Sequence, residues 1–240
     1  MITAADRLVA LMAAQIVDGA VVATGVASPL AVLAIAVARA THAPRLTYLA
    51  CVGSLDPRVT RLHRSSEDLA YLDGRLGEIT IPELFDHARR GRVDTVFFGA
   101  VEVDAEGHTN LSAAGSLAAP TIKFPGVVGA CSLRRWCKRP VLVVPRQGRR
   151  SLVARVSVRS TIDARRTRLL TDLGVFSLGG DGAILEALAP HASLARVRER
   201  TGFAFREAVC VEQLVDPPSH VLATIQRIDP DNLRADLVGN

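Results

Sequence analysis

Residues 19–52 constrain the fold more than any other part of this 240-residue chain. Residues 21–24 and 46–52 are short apolar runs, and the helix predicted between them at residues 29–40 is apolar on nearly every side. A helix without a polar face has to be covered on most sides. Two buried strands joined by such a helix form a parallel pair, because parallel strands need a crossover connection. The pattern predicts an α/β protein with a mostly parallel sheet and flanking helices.

Composition narrows the class of protein further. Hydrophobic residues make up 49% of the chain and aromatic residues 4%, so Val, Ala and Leu must fill the core. A chain of this length is predicted to form one domain over residues 1–240. The net charge of +5 comes almost wholly from scattered arginines without interleaved aromatics, and this pattern predicts no nucleic-acid surface.

Membrane, disulfide and zinc-binding classes are also disfavoured. Residues 19–38 carry no charge, but glycine, threonine, serine and proline interrupt them and no basic segment precedes them. We therefore expect neither a membrane helix nor a signal peptide. The four cysteines form no C-x-x-C motif and have no histidine at metal-ligand spacing. The chain is expected to be soluble and cytoplasmic, with reduced thiols and no metal.

Caps and turn residues predict the other elements. Thr3, Ser28, Thr80 and Ser193 are predicted to cap helices, with Pro29 as the first residue of the second one. The predicted helices cover residues 4–18, 29–40, 81–90 and 194–201. The further predicted strands are residues 93–99, 141–144, 153–158 and 205–211, with a hairpin turn at Gln147-Gly148, an apolar segment at 169–178 and a loop at 112–119.

Cys51 is the candidate reactive residue of the predicted strand 46–52. Gly53 and Ser54 follow it, so the strand ends there, and open α/β sheets bind ligands at the carboxyl ends of their strands. A free cysteine in a buried strand is more often a small hydrophobic residue. The position alone leaves both interpretations open.

No common catalytic signature accompanies this cysteine. The chain contains no G-x-S-x-G, Walker A or G-x-G-x-x-G motif, and its six histidines are dispersed. The glycine-rich run from Gly126 to Cys131 could supply backbone N–H groups to a ligand oxygen, although a run of this kind is more often a structural turn.

Three spaced motifs identify a family resemblance. They are the run G-A-x-x-V-D-x-x-G-x-x-N that begins near Gly99, the segment 173–176 and the segment 201–203. Over residues 5–235 the chain resembles the β subunit of family I CoA-transferases, in the glutaconate CoA-transferase branch. The resemblance implies a homologous α subunit, an α2β2 heterotetramer, an active site between the two subunits, and no cofactor beyond the coenzyme A of the substrate.

The chain departs from that family at its catalytic position. The family has a glutamate in a Glu-x-Gly motif, and matching Gly53 to its glycine puts Cys51 at the glutamate. A thiol cannot form the carboxylic anhydride that exchanges CoA. The chain resembles a subgroup with this cysteine, which decarboxylates 3-methylglutaconyl-CoA in bacterial isovaleryl-CoA formation.

The resemblance implies roles for individual residues. Cys51 is expected to be the proton donor and the backbone N–H of Gly53 the oxyanion donor. The residues expected to line the substrate are Val52, Ser54, Gly99, Gly126, Val128, Gly129 and Ala130. Three alternatives stay open: a CoA-transferase, a thioester hydrolase or C–C cleaving enzyme of the same fold, and a non-catalytic subunit in which Cys51 is core packing.

Overall fold

A computed structural model describes residues 1–161 and 165–238. The described residues form two compact units. The first unit contains Met1–Phe98, Ser132–Pro140 and the chain from Asp216 on, and the second contains Gly99–Cys131 and Val141–Val215 apart from residues 162–164. Positions 162–164 and 239–240 of the predicted 1–240 domain lie outside the described residues. That the chain forms a single domain stays a prediction.

The elements follow one another in chain order. The helices are α1 (Ala4–Ala13), α2 (Pro29–Thr41), α3 (Ile81–Arg89), α4 (Ala130–Trp136), α5 (Leu194–Arg200), α6 (Ser219–Ile228) and α7 (Leu233–Val238), with a 3-10 turn at Leu69–Leu72. The strands are β1 (Val21–Ala23), β2 (Thr47–Ala50), β3 (Ser54–Leu55), β4 (Gly77–Glu78), β5 (Thr95–Gly99), β6 (Glu102–Val103), β7 (Thr109–Asn110), β8 (Ala113–Gly115), β9 (Pro120–Lys123), β10 (Arg139–Val144), β11 (Thr167–Thr171), β12 (Gly174–Leu178), β13 (Ala183–Leu188) and β14 (Phe205–Gln213).

The strands of the first unit lie in the order β4-β3-β2-β1-β5. β1 pairs in parallel with β2 on one side and with β5 on the other. The predicted crossover through the apolar helix is therefore confirmed. β3 and β4 extend this order with antiparallel pairs, because β3 folds back on β2 through a short hairpin.

Helix α2 is covered on nearly all sides, as its apolar sequence requires. Every residue from Pro29 to Ala38 is buried. α1 and α6 pack against α2, so the helix lies inside a helical layer. Within residues 1–161 and 165–238 no helix is long and apolar enough to cross a membrane.

The strands of the second unit lie in the order β10-β11-β12-β13-β14. β10 pairs in parallel with β11. Residues 153–158 form no strand, so the predicted hairpin at Gln147-Gly148 is wrong. Gln147 is instead buried, and its side chain bonds to Thr171 and Thr201 at 2.7 and 2.9 Å. β11–β12 and β12–β13 are antiparallel, and β13 pairs in parallel with β14, so the pairing is mixed and the α/β class is confirmed.

Four local predictions differ from the structure for identifiable reasons. α1 ends at Ala13 rather than residue 18, because the next turn tightens into i→i−3 bonds such as Gln15 N–H to Met12 at 3.0 Å. The apolar segment 169–178 contains two strands, with a turn held by the Thr171 hydroxyl.

Residues 112–119 belong to the β8–β9 hairpin rather than a loop. Residues 153–158 form no strand. Side-chain hydrogen bonds hold them instead, such as the one that the Ser157 hydroxyl donates to Glu102 of β6.

A buried ion cluster fixes the end of the chain to its beginning. Arg234 of α7 donates to Asp6 of α1 at 2.7 Å and to Asp229 at 2.9 Å, and all three side chains are buried. Burial acts to raise the pKa of Asp6, but hydrogen bonds from Thr3 and Arg234 outweigh it, so this pKa lies below its ordinary value. The carboxylate of Asp229 also caps α7 by accepting the N–H of Leu233.

We predict that Arg234→Met lowers the free energy of unfolding by about 3–5 kcal/mol, because it leaves buried carboxylates without their cation. Urea unfolding at neutral pH measures this loss. Arg227→Met is the matched control, since Arg227 is exposed on α6, and it should change stability little. Because the folded pKa of Asp6 is depressed, its contribution is present above its unfolded pKa and is lost as the pH falls through the folded value. An acid sensitivity equal in both variants would contradict the assignment.

Candidate active site

Cys51 stands at the corner of the hairpin between β2 and β3. Ala50 pairs with Ser54, and the loop between them contains only three residues. The N–H of Gly53 donates to the carbonyl of Ala50 at 3.0 Å, which closes the turn around Cys51 and Val52. Gly53 has φ +99°, the conformation that three-residue hairpin loops need after their turn and that glycine adopts without strain. The geometry of the turn therefore explains why a glycine stands two residues after Cys51.

The thiol faces the loop that leaves the neighbouring parallel strand. Cys51 Sγ lies 3.2 Å from the carbonyl oxygen of Gly25, the second residue after β1. β1 and β2 are parallel and in register, so their carboxyl ends reach the same edge. Beneath them Thr24 and Tyr48 share a buried hydroxyl hydrogen bond of 2.8 Å. The predicted position of Cys51 at the carboxyl end of a buried strand is thus correct.

Ser66 holds the Gly25 loop in place. Its buried hydroxyl donates to the Gly25 carbonyl at 3.2 Å and accepts the N–H of Ser28 at 3.0 Å. The hydroxyl of Ser28 makes no cap bond and instead donates to Val26. The prediction that Ser28 caps α2 through its side chain is therefore wrong, although Pro29 begins the helix as expected.

Glu67 brings a carboxylate to the cysteine that sequence reasoning missed. Its Oε1 lies 3.9 Å from Cys51 Sγ, and the side chain is exposed to solvent. Glu67 belongs to the polar stretch 58–78, which has no periodic pattern that could have indicated its position. Glu67 reaches the thiol because the preceding Ser66 bonds to the Gly25 loop, a tertiary contact.

The surroundings of Cys51 favour the neutral thiol. Burial is the largest cause that raises the pKa of this thiol, and the negative charge of Glu67 raises it further. Hydrogen bonds from Thr24 and Ser66 act in the opposite direction without cancelling the rise. A thiol with a raised pKa stays protonated at neutral pH, which suits a proton donor better than a nucleophile.

Two predicted site residues on this hairpin have other roles. The N–H of Gly53, expected to be the oxyanion donor, is occupied by the Ala50 carbonyl, so the structure gives that assignment no support. The hydroxyl of Ser54 is fully buried and has no hydrogen-bond partner among the described residues, so it does not face a ligand space. Val52 is half-buried at the tip of the turn, and nothing in residues 1–161 or 165–238 accepts its N–H.

The other predicted substrate-lining residues belong to the second unit. Gly99 is exposed at the end of β5. Gly126, Val128, Gly129 and Ala130 form the loop that enters α4, with Gly126 at φ +98° and Val128 at φ +44°. A β-branched residue in the left-handed region is strained, and Val128 also exposes 72% of its surface. Their contact with a substrate stays a prediction.

The motif around Asp104 and Asn110 ties its own turn together. Asp104 accepts the N–H groups of Glu106 and His108 at 3.1 and 3.0 Å. The amide of Asn110 donates to Glu102 at 2.9 Å and to the carbonyl of Ala113 at 2.7 Å. These side chains therefore shape the turn of the second unit.

We predict that Gly53→Ala lowers the free energy of unfolding by about 1–2 kcal/mol, because an alanine is strained at this positive φ. The added Cβ would meet Ile79 O at an ordinary 3.6 Å, so the cost lies in the backbone. Gly77→Ala in β4 is the control, since its φ is not positive and its Cβ has ordinary space. Urea unfolding of both variants measures the difference, and equal losses would refute the turn argument.

We predict that Cys51 is alkylated by iodoacetamide with a pH midpoint above that of the same cysteine in the urea-unfolded chain. The thiolate is the reactive form, and the fold raises the pKa of this thiol. Peptide-resolved mass spectrometry separates Cys51 from the exposed Cys131 and Cys210. Since a raised pKa disfavours the thiolate, the stability contributed by Cys51 is present at neutral pH and is lost in alkali. A lower midpoint in the folded protein would show a nucleophilic thiolate instead.

Comparison with known proteins agrees with this architecture. The chain is 63% identical to a chain of the decarboxylase AibA/AibB over the full length of both, with a TM-score of 0.98. Four further structures of that decarboxylase carry one cysteine replaced by Asn, Val, Ser or Ala. One subunit of the 3-oxoadipate CoA-transferase of Pseudomonas knackmussii is 25% identical over 93% of this chain and 92% of its own. Glutaconate coenzyme A-transferase of Acidaminococcus fermentans shares the fold at 20% identity and a TM-score of 0.86, over 99% of this chain and 98% of its own.

The coenzyme A transferase family model matches residues 6–200, and the chain belongs to that family.

Proposed function

We propose that this chain is the β-type subunit of a heteromeric decarboxylase acting on the CoA thioester of a short unsaturated dicarboxylic acid, with 3-methylglutaconyl-CoA as the first substrate to test. The observation that carries the proposal is a thiol held protonated at the strand end, with its Sγ beside the Gly25 carbonyl. The 63% identity to the decarboxylase AibA/AibB over the whole chain supports it.

The reaction needs one proton and no redox partner. The bond between the terminal carboxylate and its neighbouring carbon breaks, CO2 leaves, and the electron pair stays as a dienolate whose charge reaches the thioester oxygen. Cys51 then gives its S–H proton to the carbon that lost CO2, which yields 3-methylcrotonyl-CoA and a thiolate. A positioned general acid of this kind contributes about 10²–10⁴-fold to the rate.

The developing charge on the thioester oxygen requires a fixed hydrogen-bond donor. We assign this role to the N–H of Val52 in place of Gly53, because it lies in the same turn as the thiol and donates to no described residue. One such donor is typically worth about 3–4 kcal/mol in a site that excludes water. The loop of Gly126 and Val128 in the second unit is proposed to contact the CoA thioester as well.

A CoA-transferase is the second candidate, because Glu67 supplies a carboxylate near the cysteine. Family relatives such as the 3-oxoadipate CoA-transferase carry that name. The exposed Glu67 lies beside the turn rather than at its corner, where Cys51 stands. A decarboxylase therefore agrees better with the geometry.

The assembly and its location belong to the same proposal. We propose a homologous α subunit as the partner, in an α2β2 heterotetramer, because the decarboxylase similar to this chain consists of AibA and AibB. Coenzyme A would enter as part of the substrate, with no separate cofactor. A cytoplasmic site of action stays a prediction.

We predict that the chain, co-expressed with its α-type subunit, converts 3-methylglutaconyl-CoA into a thioester 44 mass units lighter without any added acid. Cys51→Ala should lower this rate by about 10²–10⁴-fold, because it removes the proton donor. Cys210→Ala is the matched control, since Cys210 is exposed on β14 and has no assigned role. Mass spectrometry of the CoA species measures both.

The other products of this assay identify the alternatives. A new thioester that forms only when free acetate is present indicates a transferase, and free CoA indicates a hydrolase. Full turnover by Cys51→Ala would show that the cysteine only packs the core and that the α subunit carries the chemistry.

A further inference from the structure

The inference concerns the carboxylate of Glu67 beside Cys51. Oε1 of Glu67 lies 3.9 Å from Cys51 Sγ, and the preceding Ser66 is locked to the Gly25 loop by two hydrogen bonds. The backbone N–H of Glu67 donates to the hydroxyl of Ser65 at 3.1 Å. The side chain of Glu67 is exposed to solvent. It therefore joins a half-buried thiol to bulk water.

The proposed decarboxylation creates a need for such a group. Each turnover transfers one proton from the Cys51 thiol to carbon and leaves a thiolate. The product carries the transferred proton away in a C–H bond, so the thiolate must recover another proton before the next turnover. The proton must come from solvent, directly or through a neighbouring acid.

We propose that Glu67 is the acid that returns a solvent proton to Cys51 after each turnover, an inference that rests on the decarboxylation proposed above. The carboxylate of Glu67 takes a proton from hydronium in the surrounding water. The carboxyl that forms gives this proton to the Cys51 thiolate, which becomes a thiol, and Glu67 is again a carboxylate. One proton enters per CO2 released, and both residues return to their starting forms.

Electrostatics make the transfer favourable in this direction. The thiolate would lie beside the carbonyl oxygen of Gly25 and close to Glu67, so negative charge there is repelled from two sides. Burial, and after it the negative charge of Glu67, raise the pKa of Cys51, which drives the proton onto sulfur. Tyr48 also interacts electrostatically with Cys51, and burial raises the pKa of Tyr48 so far that it stays neutral. Glu67, in contrast, is exposed and can exchange a proton with water.

The test compares Glu67→Gln with Glu67→Asp in the co-expressed complex, using 3-methylglutaconyl-CoA. We expect Glu67→Gln to lower kcat about 10²-fold with little change in KM, because substrate binding does not use the carboxyl. The solvent deuterium isotope effect on kcat should increase, since reprotonation becomes rate-limiting. Glu67→Asp keeps an acid one carbon shorter and should recover part of the rate.

A second readout reports on the thiol without turnover. Removing the negative charge of Glu67 should lower the pKa of Cys51, so that Glu67→Gln shifts the pH midpoint of Cys51 alkylation downwards. Glu199→Gln is the matched control, because Glu199 is exposed on α5 and has no role in the site. It should leave kcat, the isotope effect and the alkylation midpoint unchanged.

The outcomes separate this inference from the proposed function. Wild-type complex that releases no CO2 overturns the decarboxylation and the inference with it. Wild-type complex that releases CO2 while Glu67→Gln keeps the full kcat overturns the role of Glu67 alone. Equal losses in Glu67→Gln and Glu67→Asp, with an unchanged isotope effect and alkylation midpoint, would mean that Glu67 only shapes the loop.

Discussion

The parallel pairing of β1 with β2 is the interaction on which the candidate site depends. Ala23 lies opposite Leu49, and continuing this register by two residues brings Gly25 opposite Cys51. This register brings the thiol beside the Gly25 carbonyl, and the Ser66 hydroxyl holds that carbonyl in place. The pairing itself requires the crossover helix α2, whose residues from Pro29 to Ala38 are all buried.

The hairpin turn after β2 decides how the cysteine is presented. A three-residue loop closed by the Gly53 N–H holds Cys51 beyond the end of the strand, where a longer strand would have directed it into the core. The same bond occupies the N–H of Gly53 and leaves that of Val52 without an acceptor among the described residues. One turn thus fixes the place of the proton donor and selects which amide can stabilise an oxyanion.

The exchange of a carboxylate for a thiol changes the chemistry that this fold supports. A carboxylate at the turn can form an anhydride with an acid, whereas a thiol with a raised pKa holds a proton for a carbanion. Burial and the charge of Glu67 both keep sulfur protonated. The neighbouring carboxylate thus has a use in the proposed decarboxylation even though it is not the group attached to the strand.

The sequence by itself determined the α/β class, the crossover of the first unit, the end of a strand at Cys51 and the caps at Thr3, Thr80 and Ser193. These features depend on neighbours a few residues apart, so periodicity and capping residues reveal them. Sequence motifs also identified the family. Pairing direction after β10 was not predictable, because an apolar run has the same pattern in a parallel and an antiparallel strand.

Only the tertiary structure decided the chemistry around the thiol. Glu67 comes 16 residues after Cys51 in a polar stretch without periodicity, and it reaches the site because Ser66 bonds to the Gly25 loop. The burial of Ser54 and the hydrogen bond from the Gly53 N–H to the Ala50 carbonyl are likewise consequences of how the hairpin packs. A sequence shows which groups a chain carries, but hydrogen-bond competition and burial are properties of the folded arrangement, and they determine which of those groups can act.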